Sequence, residues 1–172
     1  MSITLSSASL PVFTTMLRNL AHCLQKAAAN AEARKFDPNV LLAARLAPDM
    51  LPFAAQIRIA CDAAKFGAAR LGGLEAPKFA DDEATLAELV ARIEKTVAWL
   101  ETVPADKIDG REGAEITFPI GRDGATRTMQ GEAYLKHWVL PNLFFHVTTA
   151  YALLRHNGVD LGKRDYLAGS AA

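Results

Sequence analysis

An almost uninterrupted apolar stretch, from Pro141 to Gly158, constrains the fold of this chain more than any other part of the sequence. Proline suits the first turn of a helix, and the Asn-Gly pair at the other end favours a left-handed helix terminus. These signals predict one helix across the stretch. Because almost every position is apolar, we expect other elements to surround this helix on all sides.

Three polar side chains lie within this helix at spacings of three or four residues, namely Asn142, His146 and Thr149. Such spacings place side chains on one helix face. The stripe therefore combines an amide, an imidazole and a hydroxyl group at a position that we expect to be buried. It is the candidate binding site that the sequence offers.

Apolar residues recur every three or four positions in three further segments, which is typical of amphipathic helices. The predicted helices are residues 10–34, capped by Ser7 or Ser9; residues 49–71, capped by Asp49 and ended by Gly72-Gly73; and residues 81–103, opened by Asp81-Asp82. Gln56 lies in the middle of the apolar face of the second helix. A short helical turn opened by Asp37-Pro38 is predicted between the first two.

Two short β-prone runs, residues 115–118 and 126–129, flank Gly-Arg-Asp-Gly at 121–124 and predict a small hairpin. Residues 132–140 are again helical in pattern, but Pro141 would clash with the carbonyl group of His137 in a straight helix. We therefore expect a kink or a restart there. Four long helices with a hairpin before the last predict a mainly α four-helix bundle in a single domain, residues 1–172.

Composition narrows the classes of function. The 19 basic and 19 acidic residues cancel, which argues against nucleic acid or an anionic membrane as a partner. Cys23 and Cys61 lie in helical patterns and are expected to be free thiols in a reducing compartment. No signal-peptide pattern and no apolar run of about 18 residues occurs, so we expect a cytoplasmic protein.

His146 has two interpretations. A neutral imidazole can bind a divalent metal such as Zn or Ni or act as a general base, whereas a core histidine bonds to a backbone oxygen or to Thr149. The second is commoner, because metal sites need three or more good donors. Gln56 and Asn142 are weak ligands that could bond to each other or to His146 across the bundle.

Asp62 is the nearest carboxylate that could complete a site with His146. A solvated charge, or a partner for Arg58 or Arg70, is the commoner role for such a residue. Neither cysteine has a histidine placed to activate it, and no phosphate-binding glycine loop or nucleophile elbow occurs. The usual enzyme motifs are therefore missing.

Segments 44–53, 140–159 and 162–165 resemble the DinB/YfiT-like superfamily of bacterial metalloenzyme candidates, most closely a branch of unknown function. The resemblance extends over nearly the whole chain. It implies a DinB-like four-helix bundle and, as is common among the relatives, a homodimer. Relatives include metal-dependent hydrolases and thiol transferases, so the fold alone does not imply one activity.

The resemblance also implies where the superfamily's three metal ligands fall. The typical site has one histidine on the second helix and a His-x-x-x-His pair on the last helix, followed nine residues later by arginine. Arg155 aligns His146 with the second histidine of the pair, and Asn142 then replaces the first. Gln56 matches the ligand of the second helix. The resemblance thus implies a degenerate metal triad in which two amides replace histidines.

Three functions follow as hypotheses. The first is a bundle protein that binds a small ligand around Gln56, Asn142, His146 and Thr149. The second is a metal-dependent hydrolase or thiol transferase using His146 with Zn or Ni. The third is a non-catalytic dimeric interaction or stress-response protein, in which the buried polar groups only satisfy one another.

Overall fold

The computed structural model describes residues 3–121 and 123–169. Its α-helices are α1 (Leu10–Arg34), α2 (Phe53–Gly72), α3 (Leu86–Leu100), α4 (Gly131–Tyr134), α5 (Leu140–His156) and α6 (Lys163–Ala168). The other regular elements are strands β1 (Glu115–Pro119) and β2 (Thr126–Gln130), a π-helical segment (Leu135–Val139), and 3-10 turns at Pro38–Ala43 and Ala105–Lys107. The predicted mainly α architecture with a hairpin before the last long helix is confirmed.

The four long helices pack around one core. α2 contacts α3 and α5 extensively, and α1 contacts the same two helices, so α1 and α2 face each other across the bundle. The space between them is filled by fully buried aromatic and aliphatic side chains, among them Phe13, Leu17, Leu20, Phe53, Ile57, Leu89 and Ile93. α2 and α5, which carry the candidate site residues, are therefore direct neighbours.

Helix starts differ from the sequence prediction in their capping groups. Ser9 stands at the cap position of α1, but its hydroxyl donates to the carbonyl oxygens of Leu5 and Ser6 and does not cap the helix. At the start of α3 the cap is Thr85, whose hydroxyl accepts from the backbone N–H of Glu88 at 3.2 Å. The Glu88 carboxylate accepts in return from the N–H of Thr85, which completes a capping box.

The second helix begins later than predicted. α2 starts at Phe53, and the N–H of that residue donates to the carbonyl oxygen of Ala44 at 2.8 Å. Asp49 lies in the preceding loop and is not the helix cap. The predicted end is confirmed, because Gly73 adopts a left-handed conformation with φ of +62°.

The predicted hairpin is confirmed. β1 and β2 pair antiparallel with Glu115 opposite Gln130 and Thr117 opposite Thr128, whose hydroxyl groups are 2.8 Å apart. Arg122, within the predicted turn, lies outside the described residues. The hairpin precedes α4 directly, so it leads the chain into the last long helix.

The interruption predicted before Pro141 is the π-helical segment Leu135–Val139. The N–H of Leu140 donates to the carbonyl oxygen of Leu135, five residues earlier. This wider turn separates α4 from α5, and Pro141 then lies in the first turn of α5, where a missing N–H leaves no bond unmade. The kink or restart expected from the sequence thus takes the form of a change of helix type.

The expectation that other elements surround the last helix is wrong. Phe144 and Phe145 on α5 are 37% and 55% exposed, whereas Leu143, His146 and Val147 are buried. The apolar outer side of α5 remains at the surface because α1 and α2 cover only its inner side.

Among the described residues, no helix is long and apolar enough to span a membrane.

Candidate functional site

Gln56 of α2 and His146 of α5 meet in the bundle. Gln56 Oε1 lies 2.7 Å from His146 Nδ1, and the two side chains are separated by 90 positions in the sequence. Gln56 is 1% exposed and His146 is 8% exposed. The contact joins the two helices that pack most extensively in the fold.

A second hydrogen bond orients the amide of Gln56. Its Nε2 atom donates to the carbonyl oxygen of Leu51 at 3.0 Å, so Oε1 is the atom that faces His146. An amide oxygen can only accept, and the proton therefore lies on His146 Nδ1. His146 Nε2 is left with a lone pair and can accept a hydrogen bond from another group.

Burial lowers the pKa of His146, because the interior disfavours the charged imidazolium form. The ring is consequently neutral at physiological pH. A neutral ring held in one tautomer is a defined hydrogen-bond acceptor. The Phe145 and His146 rings form a T-shaped pair with centroids 5.2 Å apart and an interplanar angle of 88°.

Thr149 and Asn142, the other two predicted site residues, do not bond to this pair. The Thr149 hydroxyl donates to the carbonyl oxygen of Phe145 at 2.7 Å, a bond within α5. Asn142 is half-buried one turn before His146, and its side chain makes no hydrogen bond within residues 3–121 and 123–169. Its amide group thus remains available at the edge of the pair.

The donor set does not fit the metal site of the superfamily. Gln56 uses its amide oxygen on His146 Nδ1 and its amide nitrogen on Leu51. The remaining donors are His146 Nε2 and the weakly ligating amide of Asn142. Within the described part of the chain, no three histidine, cysteine, aspartate or glutamate side chains converge closely enough to hold a metal ion. The three positions that the resemblance aligns with metal ligands therefore supply one imidazole and two amides.

Asp62 does not complete a site with His146. Its Oδ1 atom lies 2.8 Å from Lys65 Nζ and 3.3 Å from Arg92 Nη2, so its partners are not the predicted Arg58 or Arg70. Asp62 therefore belongs to a separate group of charges on another face of α2. Arg58 instead pairs with Glu83 at 2.7 Å.

Lys65, Arg92 and Thr96 are buried polar residues that the sequence prediction did not single out. The signal was present in α3, since Arg92 follows Leu89 by three residues and Thr96 follows Ile93 by three, which places both on the apolar face. The signal for Lys65 is weaker. It lies at the edge of the apolar face of α2, and its burial depends on the loop that crosses it.

Both thiols are poorly placed for nucleophilic chemistry. Burial raises the pKa of Cys61 to about 12 and that of Cys23 to about 11. Both are free and buried. Because the thiolate is the reactive form, neither residue is an activated nucleophile.

Comparisons with known proteins agree with this fold. The family model described as "Domain of unknown function (DUF1993)" matches residues 5–167. The crystal structure of a DinB family member from Shewanella denitrificans is similar to this fold, with a TM-score of 0.85. The two sequences are 42% identical, and the match covers 95% of this chain and 91% of that chain. No curated protein matches the sequence.

Proposed function

We propose that this chain, which belongs to the DUF1993 family of DinB-like proteins, binds a small molecule with an N–H or O–H donor at His146. The hydrogen bond of 2.7 Å between Gln56 and His146 carries the proposal. It holds the ring in the tautomer whose Nε2 accepts. Burial keeps the ring neutral, so recognition is by hydrogen bonding and does not need a charged imidazole.

The surroundings of His146 favour a ligand that also has an apolar part. The backbone carbonyl group of Leu51 bonds to Gln56, and the ring of Phe145 packs against that of His146. Leu51 is 42% exposed and Phe145 is 55% exposed. The amide of Asn142, one turn away on α5, offers a second hydrogen bond. A few polar groups at the edge of apolar surface are typical of small-molecule sites.

Nitrogen NMR of the histidine rings tests the proposal. The protein, labelled with ¹⁵N-histidine, is titrated with a panel of small alcohols, primary amides and amines. Saturable movement of the His146 Nε2 resonance, with Nδ1 still protonated, is expected for at least one probe. His146→Phe should abolish binding, whereas His137→Phe, at an exposed position, should not. A panel that leaves Nε2 unmoved contradicts the proposal.

The alternative of a metal-dependent hydrolase or thiol transferase is tested by elemental analysis of untagged protein. We expect no stoichiometric metal in the wild type, because two of the superfamily's three ligand positions carry amides. Near-stoichiometric Zn or Ni in the wild type that disappears in His146→Ala would overturn our proposal and favour metal chemistry at His146.

A homodimer that covers the outer side of α5 is a second candidate, favoured by the exposed rings of Phe144 and Phe145. Adjacent exposed aromatic residues are typical of protein interfaces. Light scattering should give a dimer for the wild type and a monomer for Phe145→Glu. Leu167→Glu, at an exposed apolar position on α6, is the matched control and should stay dimeric. A monomeric wild type would contradict this candidate.

Residence in the cytoplasm is part of the same proposal. Cys23 and Cys61 are buried free thiols, which persist in a reducing compartment. Fractionation of cells that express the full-length protein tests it, and accumulation outside the cytoplasm would contradict it.

A further inference from the structure

A cavity of about 620 Å³ lies between α2 and the irregular segment 74–81 that follows it. Its α2 wall contains Asp62, Lys65, Phe66 and Arg70, which lie on one side of the helix. Gln56 does not line this cavity. The size is within the range of small-molecule sites.

Lys65 is unusual among the residues that line the cavity, because lysine side chains are rarely buried and this residue is 98% buried. Its ammonium group lies 2.8 Å from Asp62 Oδ1 and sits over two aromatic rings, 4.6 Å from the centroid of Phe66 and 4.4 Å from that of Phe79. An ammonium group has three donors. In the described residues, Asp62 is the one carboxylate within 4.0 Å of it.

That carboxylate is shared. Asp62 Oδ1 also lies 3.3 Å from Arg92 Nη2, and Arg92 is itself buried. The Asp62 carboxylate is therefore divided between Lys65 and Arg92. Arg92 further contacts Asp81 at 3.0 Å and Glu83 at 2.8 Å through Nη1, which occupies those two carboxylates.

Arg70 adds a cation with no carboxylate of its own in the described part of the chain. Its Nη1 donates to the Tyr134 hydroxyl at 3.1 Å, and its guanidinium lies 5.0 Å from the Phe66 centroid. Because Lys65 Nζ is 4.6 Å from the same centroid, the two cations are less than about 10 Å apart. The other charged residues of the lining are Glu75, Lys78 and Asp81.

The cavity therefore has Arg70, which has no carboxylate partner among the described residues, beside Lys65, whose one carboxylate partner also contacts Arg92. Buried cations with unused donors are stabilised by an oxyanion, which supplies both charge and acceptors. We propose that this cavity binds a small molecule bearing a carboxylate or phosphate group, held by Lys65 and Arg70. The site is independent of His146 and of the function proposed there.

The test uses inorganic phosphate and succinate as probes, at constant ionic strength maintained with sodium chloride. Alanine methyl NMR shows where on the protein a probe binds. Ala69 and Ala76 line this cavity, whereas Ala21 and Ala98 line a separate cleft between α1 and α3. We expect saturable shifts at Ala69 and Ala76 with at least one probe. Shifts at Ala21 and Ala98 should be small.

Two variants assign the anion contacts. Lys65→Met keeps the buried aliphatic stem and removes the charge, and Arg70→Gln removes a half-buried charge while keeping a donor for Tyr134. Each should weaken binding by about tenfold or more. Lys107→Gln makes the same charge change on an exposed turn and should leave affinity unchanged. Circular dichroism verifies folding, and if Lys65→Met fails to fold, Arg70→Gln carries the assignment.

Two results would overturn the proposal. One is a wild-type response to phosphate and succinate that matches chloride alone. The other is unchanged affinity in the folded variants of Lys65 and Arg70.

Discussion

Gly67 of α2 lies directly against Val139 of the π-helical segment. A Cβ atom at position 67 would come within 2.6 Å of Val139 Cγ1 and 3.4 Å of the Phe13 ring. Gly67 therefore lets α2 approach the wide turn that precedes α5. Since α2 and α5 carry Gln56 and His146, this approach also helps to determine where those two side chains meet.

The first prediction concerns this contact. Gly67→Ala should destabilise the protein by roughly 1–3 kcal/mol, because the added methyl group overpacks a buried contact and outweighs the better helix propensity of alanine. Gly113→Ala is the matched control, since no heavy atom lies within 4 Å of its added Cβ and its φ is not positive. Urea unfolding measures both, and equal stabilities for the two variants would contradict the overpacking argument.

The second prediction concerns the bond between Gln56 and His146. Gln56→Leu leaves the buried Nδ1–H of His146 without its acceptor and should cost about 1–3 kcal/mol of unfolding free energy. The double variant Gln56→Leu/His146→Phe should be more stable than the sum of the single changes implies, since both unpaired groups are then removed. Additive losses in this double-mutant cycle would show that the two side chains do not act as a pair.

The third prediction is a pH dependence from His146. Burial lowers its pKa in the folded state, so the unfolded chain binds the proton more readily. The contribution of His146 is therefore fully present above its unfolded pKa of about 6.5 and is lost as pH falls through the lower folded pKa. Unfolding at pH 7.5, 6 and 5 should show a larger acid loss for wild type than for His146→Phe. A larger loss in the variant would contradict this sign.

The fourth prediction concerns the attachment of α6. Asp165 accepts from the Gly162 N–H at 2.7 Å, Lys26 Nζ at 3.0 Å and His22 Nε2 at 3.1 Å. The Gly162 bond above all, with Lys26 and His22, lowers the pKa of Asp165 to about 2. Asp165→Asn should therefore increase hydrogen exchange of α6 at neutral pH, and acid should have the same effect on wild type as pH falls from about 4 to 2. Asp160→Asn, exposed nearby, should leave α6 unchanged.

The long helices could be predicted because each repeats its apolar spacing over several turns, as Phe13, Leu17, Leu20 and Leu24 do in α1. The outer side of α5 could not, because an apolar pattern does not state how many neighbours a helix has. Phe144 and Phe145 are exposed for that reason. Periodicity thus predicts which residues prefer burial but not how much cover the fold provides.

The candidate site was predictable in part. Bonding of His146 to an amide across the bundle was one of the open alternatives, and the structure has Gln56 in that role. The roles of Lys65 and Arg92 were not predictable, since their partners include Phe79 and Asp81 in the irregular segment after α2. No periodic pattern locates such a segment. The predicted helix caps were wrong because several acidic or hydroxyl residues near each helix start could serve as the cap.

The fifth prediction tests which residue is the cap at the start of α3. Thr85→Ala removes the hydroxyl that accepts from the Glu88 N–H at 3.2 Å and breaks the capping box, so it should cost about 1 kcal/mol. Asp82→Asn alters the acidic pair that the sequence favoured as the opening of this helix, and it should change stability by less than about 0.5 kcal/mol at this exposed site. Chemical denaturation compares the two. The reverse ranking would mean that Asp82, and not Thr85, stabilises the start of α3.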